Sequence, residues 1–307
     1  MRSFVLAAVL SAAALSFPAH AKLKVVATVS DLGAITSAVG GDLVSVETLS
    51  RSTQDPHFAD AKPSLILSLA RADLLVLNGM DLEVGWLPVM LTGSRNAKVQ
   101  RGEPGYLDCS TLITPREVPI QKLDRSMGDI HPGGNPHYTK DPRNAALVAR
   151  GIADRLSQLD PSHHQQYAAN AARFQQALQA KMAEWSKALA PLKGRPVVTY
   201  HKSWIYFVDF AGMVEVAFVE PKPGIPPNPA HVTNVLNVIR ARDVKVILQE
   251  QWYPAATSEL LVKNSRAKLV RVPGMTPEGS DYLSYMDGLV RATISAFQAA
   301  MGSGAGR

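Results

Sequence analysis

Two stretches of this chain can be laid over each other, and that narrows its fold more than any other feature. VVATVSDLGAITSAVGGDLVSV starts at Val25 and PVVTYHKSWIYFVDFAGMVEV at Pro196. In each, a short β-branched run leads to a threonine, Thr28 or Thr199, and a glycine follows thirteen positions later, Gly41 or Gly212. Another apolar run comes next. That order reads as strand, helix, glycine stop, strand. The strands do not alternate apolar with polar, which suits a parallel sheet covered on both faces. A second correspondence follows. PSLILSLARADLLVLNG from Pro63 and NPAHVTNVLNVIRARDVKVILQE from Asn228 each give a proline-started amphipathic helix, an aspartate (Asp73 or Asp243) and an apolar strand. Each half therefore begins as a βαβαβ unit with right-handed crossovers.

Between the halves runs PSHHQQYAANAARFQQALQAKMAEWSKALAPLKG, from Pro161 to Gly194, rich in Ala, Gln and Lys. Tyr167, Phe174, Leu178, Met182, Trp185 and Leu189 recur at helical spacing. At 1.5 Å per residue a helix of this length reaches about 40 Å, enough to span two lobes. The expected architecture is α/β: two Rossmann-like βα lobes with parallel sheets, joined by one long bridging helix. Open α/β sheets bind ligands beyond the carboxyl ends of their strands, so candidate site residues are sought there.

Composition limits the function classes. Arg2 followed by FVLAAVLSAAALSF and then AHA at Ala19 to Ala21 has the form of a secretory signal. Its apolar run of about 14 residues is short of the roughly 20 a membrane span needs. The expected division is a signal peptide at 1–21, an N-terminal lobe at 22–160, the linking helix at 161–194 and a C-terminal lobe at 195–307. The mature chain is expected to work outside the cytoplasm, without a lipid anchor because no cysteine follows the cleavage site. The one cysteine, Cys109, has no partner for an internal disulfide. The net charge of +6 is spread out and never interleaved with aromatics, which argues against nucleic acid.

Three histidines follow strands or sit in proline-held loops. His57 lies in STQDPHFADAKPS after the apolar run VSVETLS, His137 in GNPHYTKDP, and His201 ends the strand in VVTYHKSW. Loops fixed by Pro56, Pro136 and Pro142 suit a preformed ligand site, and the expectation is that His57 and His137 bind one metal ion. Asp281 in GSDYLSYMDGLV either joins such a site or caps the helix that begins near Tyr282. Glu250, ending VKVILQE, is a competing carboxylate at the same sheet edge.

Taken with DPHFADAKPSLILSLARADLLVLNGMDLEVGW, GNPHYTKDP, VVTYHKSW and VPGM followed by GSDYLSYMDGL, the chain resembles the metal-binding solute-binding proteins of bacterial ABC importers, the zinc and manganese uptake group. The similarity covers the mature chain, and a two-lobed fold on one long helix is what it implies. It also implies a ligand set of His57, His137, His201 and Asp281; the spacing around Gly279 equally lets the aspartate of the pattern fall on Ser280. Three neutral imidazoles and a carboxylate suit tetrahedral Zn²⁺, whereas Mn²⁺ would draw on a second carboxylate. His131 is the one histidine between Pro115 and Gly134. It is expected as an exposed loop residue or an accessory ligand. Asp55, Asp141 and Tyr200 are expected to orient imidazoles. His163, His164 and His231 are expected to stand apart from the site.

The resemblance places the chain in the periplasm, and the implied function is a carrier: a monomeric protein that passes Zn²⁺, or alternatively Mn²⁺, to an inner-membrane permease. Two rivals differ in class. A zinc hydrolase would need an open coordination position and a base, and HExxH is absent. A binder of organic solutes would need aromatic cleft walls and an Arg or Asp clamp, which these loops do not offer.

Overall fold

A computed structural model describes residues 21–120, 128 and 130–302. The expected signal sequence at 1–21 lies, but for Ala21, outside the described residues. In the first half, β1 (Leu23–Ala27), α1 (Ser30–Gly40), β2 (Val44–Thr48), α2 (Pro63–Ala70), β3 (Leu74–Leu77), α3 (Leu87–Ser94) and β4 (Tyr106–Asp108) build one sheet in the order β2-β1-β3-β4. A long helix, α4 (Pro142–Leu159), follows. Then α5 (His164–Leu189) leads to β5 (Pro196–Thr199), α6 (Ile205–Phe210), β6 (Val214–Phe218), α7 (Pro229–Ala241), β7 (Val246–Glu250), α8 (Ala256–Lys263) and β8 (Lys268–Val272), with sheet order β6-β5-β7-β8. The chain closes with α9 (Tyr282–Gly302). Every pairing among these strands is parallel, and the two sheets repeat one order.

The matched glycines do what their spacing implied. Gly41 and Gly212 sit at φ 54° and 67°, the left-handed region that costs glycine nothing. The first helices of the two halves differ in length for a local reason. α1 begins two residues after Thr28, whereas His201–Trp204 form an irregular loop after Thr199 and α6 starts only at Ile205. The site takes up what is helical in the first half.

The bridging helix is the 26-residue α5, with single 3-10 turns at Pro161–His163 and Ala190–Leu192 on either end. Its buried face carries Tyr167, Asn170, Ala171, Phe174, Leu178, Trp185 and Leu189. Asn170 donates to the carbonyl of Val39 in α1, and Trp185 Nε1 donates to Asp287 in α9. One helix thus grips an element of each lobe. The lobes also share one apolar core: Val25, Val76, Ile152, Leu178, Val197, Trp204, Val246 and Met286 belong to a single contiguous cluster. Close-packed interiors of this kind deform little. Asp31 of α1 adds a polar tie, accepting from Thr139 Oγ1 at 2.7 Å and from both the N–H and Oγ1 of Thr276 at 2.7 Å.

Candidate metal centre

The carboxyl ends of both sheets open toward the same seam, and three loops meet there. His57 follows β2 in a 3-10 turn (Pro56–Phe58), His137 precedes α4, and His201 follows β5. Their rings form a near-equilateral triangle, with centroids 5.2 Å apart for His57 and His137, 5.4 Å for His57 and His201, and 5.4 Å for His137 and His201. One nitrogen from each lies within 4.8 Å of the other two. A tetrahedral zinc with Zn–N near 2.0–2.1 Å puts ligand nitrogens about 3.3–3.4 Å apart, so a modest contraction of the triangle closes it on an ion.

What stands behind each ring fixes which nitrogen is free. Asp55 Oδ1 lies 2.7 Å from His57 Nδ1 and also accepts the His57 backbone N–H at 3.0 Å. Glu220 Oε2 lies 2.8 Å from His201 Nδ1. A carboxylate at Nδ1 keeps the proton there and leaves Nε2 with a lone pair, the arrangement that favours metal ligation. His137 Nε2 is buried with no hydrogen-bond partner among the described residues. Such an orphan is costly, and a cation is what would relieve it.

The loops are held by polar struts that cross between lobes. Asn135 Oδ1 accepts the His137 N–H at 3.1 Å, while its amide donates to the carbonyl of Lys202, next to His201, at 2.6 Å. Tyr206 Oη donates to the Asn135 carbonyl at 3.0 Å. Asn78 Nδ2 donates to the Pro136 carbonyl and Tyr138 Oη donates to the Asn78 carbonyl. Behind Asn78 sits Glu83, which accepts from Thr28 Oγ1 and from the N–H groups of Asn78 and Gly79. Burial pushes Glu83 up to about 7 despite those bonds. On the other side Tyr253 Oη, from the second lobe, donates to Asp55 Oδ2 at 3.0 Å.

The electrostatics separate the imidazoles. Burial drives His137 well below its ordinary range, and Lys140 and the other histidines add to that. Burial, His57 and His201 together hold His131 at about 3. His201 goes the other way: burial lowers it, but the hydrogen bond and charge of Glu220 outweigh that and raise it. Burial opposes ionisation of Asp55, yet its bonds to His57 prevail and hold it at about 2.

Sequence reasoning placed the three histidines and Asp55 at this seam, and the structure brings them together. Asp281, expected as the fourth ligand, is not in the group. It is exposed at the start of α9, where Oδ1 accepts the Ser284 N–H at 2.9 Å and Oδ2 accepts Ser284 Oγ at 2.6 Å. Helix capping satisfies both its oxygens. Ser280 beside it gives its hydroxyl to the Asp281 carbonyl. Glu250 is fully buried against Ser203 and 3.9 Å from Lys140 Nζ, so it balances a buried lysine. Asp141 caps α4 and pairs with Arg143 instead of a histidine. Tyr200 stacks on Tyr253 at 4.5 Å, behind the site and not against an imidazole nitrogen. His163 pairs with Asp160, and His231 Nε2 meets the Phe218 carbonyl.

Glu220, Tyr253 and Asn135 were missed. Asn135 was legible: Asp55-Pro56-His57 and Asn135-Pro136-His137 repeat one pattern, an Asx side chain accepting the histidine N–H two residues on. Glu220 had a weaker signal, its place just past β6, the strand paired with β5; its N–H bonds to the Tyr200 carbonyl.

A family model described as zinc-uptake complex component A, periplasmic, matches residues 25–296. The chain belongs to that family. Membership makes it a metal-binding solute-binding protein of the ABC-importer type and not an enzyme. The high-affinity zinc uptake system protein ZnuA of Paracoccus denitrificans (strain Pd 1222) is 30% identical over 244 residues, which span 69% of this chain and 70% of that protein. The manganese-binding lipoprotein MntA of Halalkalibacterium halodurans is 25% identical over 231 residues, 74% of this chain and 71% of its own. A crystal structure of a zinc-bound ZnuA deletion mutant shares the fold, with a TM-score of 0.76 at 23% identity over 90% of this chain and 98% of that one. No helix among the described residues is long and apolar enough to cross a membrane.

Proposed function

We propose that this protein captures Zn²⁺ in the periplasm through His57, His137 and His201 and passes it, as a monomer, to the permease of an ATP-driven importer. The observation that carries this reading is the triangle of rings drawn from both lobes, two of them with a carboxylate at the rear nitrogen. Imidazole donors suit a borderline ion such as Zn²⁺, whereas Mn²⁺ favours carboxylates and water. The group that meets here contains imidazoles alone, which ranks zinc above manganese. The working halves are 22–160 and 195–307 on the 161–194 link, and the segment 1–21 directs export and is cleaved as the chain crosses the membrane.

The test is a zinc titration of chelator-treated protein against a chromophoric chelator, with a native mass spectrum to count the ion. One zinc per chain is expected, lost in the variant carrying both His57→Ala and His137→Ala. Undiminished binding by that variant, or a manganese preference in direct competition, overturns the reading.

A further inference from the structure

The triangle supplies three donors, and a tetrahedral zinc site needs a fourth. Asp281 caps α9 and Glu250 holds Lys140. His131 is placed differently from both. Its Nε2 lies 3.2 Å from His57 Nε2, and the two rings stack with centroids 5.3 Å apart. The His57 Nδ1 proton is committed to Asp55, so the nitrogen facing His131 carries a lone pair. Two imidazole nitrogens at this separation share either a proton or a cation. The spacing is also close to the edge of a zinc tetrahedron, about 3.3–3.4 Å.

Position supports the second option. His131 lies in the wall between two cavities: one of about 530 Å³ that it lines with His57, Phe58 and Trp86, and one of about 50 Å³ that it lines with His137 and His201. It therefore borders all three histidines. Its loop is fixed immediately downstream, where Gly134 N–H bonds to the His131 carbonyl and Asn135 N–H bonds to the Arg116 carbonyl at 2.8 Å. The same Asn135 holds His137 in place.

We propose that His131 is the fourth ligand, a mouth-side imidazole that completes an all-histidine site around the captured ion. The proposal rests on the three-histidine reading above and adds a residue and a selectivity to it. Four neutral imidazoles leave no carboxylate for a hard cation and strengthen the preference for zinc.

The test uses Co²⁺ as a spectroscopic probe of chelator-treated protein, with zinc competition run in parallel on His131→Ala, His131→Gln, Asp281→Ala and His57→Ala. Circular dichroism checks that each is folded, and the glutamine variant stands in should the alanine one not be. Replacing His131 is expected to weaken zinc binding by more than about 100-fold, beyond the roughly 10- to 100-fold that loss of a ligand-orienting partner costs. It is also expected to shift the visible cobalt bands, while Asp281→Ala changes neither. If His131 variants keep the wild-type cobalt spectrum while His57→Ala loses the ion, the three-histidine site stands and the fourth-ligand proposal is overturned. If His57→Ala also keeps wild-type zinc affinity and the wild-type cobalt spectrum, both readings fall together.

Discussion

Replacing Glu220 with glutamine separates two contributions of one carboxylate. Glu220 and His201 are only 8% and 6% exposed in their side chains and meet at 2.8 Å. The first contribution is orientation, since the carboxylate fixes the tautomer and aim of the His201 ring. Losing such a partner costs about 10- to 100-fold in metal affinity, about 1.4 to 2.8 kcal/mol. The second is proton competition. Burial alone would lower the His201 pKa, but Glu220 raises it above the ordinary value, and zinc binds only the neutral ring. Wild-type affinity should therefore fall by up to about tenfold per pH unit once pH drops below that raised value, which lies above about 6.5. With glutamine, the largest of the raising influences on His201 is gone, although Glu250 and Asp55 remain, so its pKa falls from the wild-type value and the loss of affinity sets in at lower pH. Asp55, held at about 2, remains ionised throughout and does not contribute to the slope. The sign for stability follows. A histidine with a raised folded pKa stabilises the metal-free fold below its unfolded value and loses that contribution as pH rises through the folded one. The zinc-induced rise in melting temperature should thus grow with pH in the wild type and vary less in Glu220→Gln. The assay is chelator competition at closely spaced points from about pH 5.5 to about pH 8.5. A variant with weaker binding but an unchanged slope would refute the assignment of the proton to His201.

Three further outcomes are expected. Zinc at a free concentration of about a thousand dissociation constants should add about 4 kcal/mol, seen by scanning calorimetry as a rise of roughly 8–16 °C; no rise would mean the ligands do not converge on the ion. Asp31→Ala leaves the Thr276 N–H and two hydroxyls without their buried acceptor, and should cost about 3 kcal/mol or more in urea unfolding; a loss below about 1 kcal/mol would show that the tie between lobes is dispensable. Asn135→Ala removes the strut between the His137 and Lys202 loops and should weaken zinc by about 10-fold or more, with both His137 and His201 affected; unchanged affinity would show the loops are held by other means.

The parallel sheets were legible because β3 is apolar and buried at every position and β7 opens with a buried apolar run from Val246 to Leu248, and because the glycine stops recur at one offset. The bridging helix was legible in length but not at its ends, where Pro161 and Pro191 sit in 3-10 turns that apolar periodicity does not distinguish from α-helix. The three histidines could be found because each lies just past a strand or between prolines. Asp281 could not be placed, because an aspartate ahead of a helix suits a cap and a ligand site equally until its neighbours are known. In the structure Ser284, three residues on, donates to both of its oxygens. Glu220 is marked only by its place just past β6, Tyr253 acts through a contact that no local pattern records, and the stacking of His131 on His57 joins positions 74 residues apart.

The crossing of struts bears on how such a site lets its ion go. Asp55 orients His57 within the first lobe but is itself held by Tyr253 of the second. His137 is aimed by Asn135, which is anchored on Lys202 and Tyr206 of the second. The groups that aim the first-lobe imidazoles are therefore bonded across the seam. A continuous core and α5 oppose wide opening of the lobes. A small relative shift need not pull the nitrogens apart to weaken the site. It acts first on the struts, and an imidazole that keeps its place but loses its aim forfeits roughly a factor of 10 to 100 in affinity. Release by loss of orientation costs far less packing than release by separation, and it is the route that this division of partners between lobes makes available.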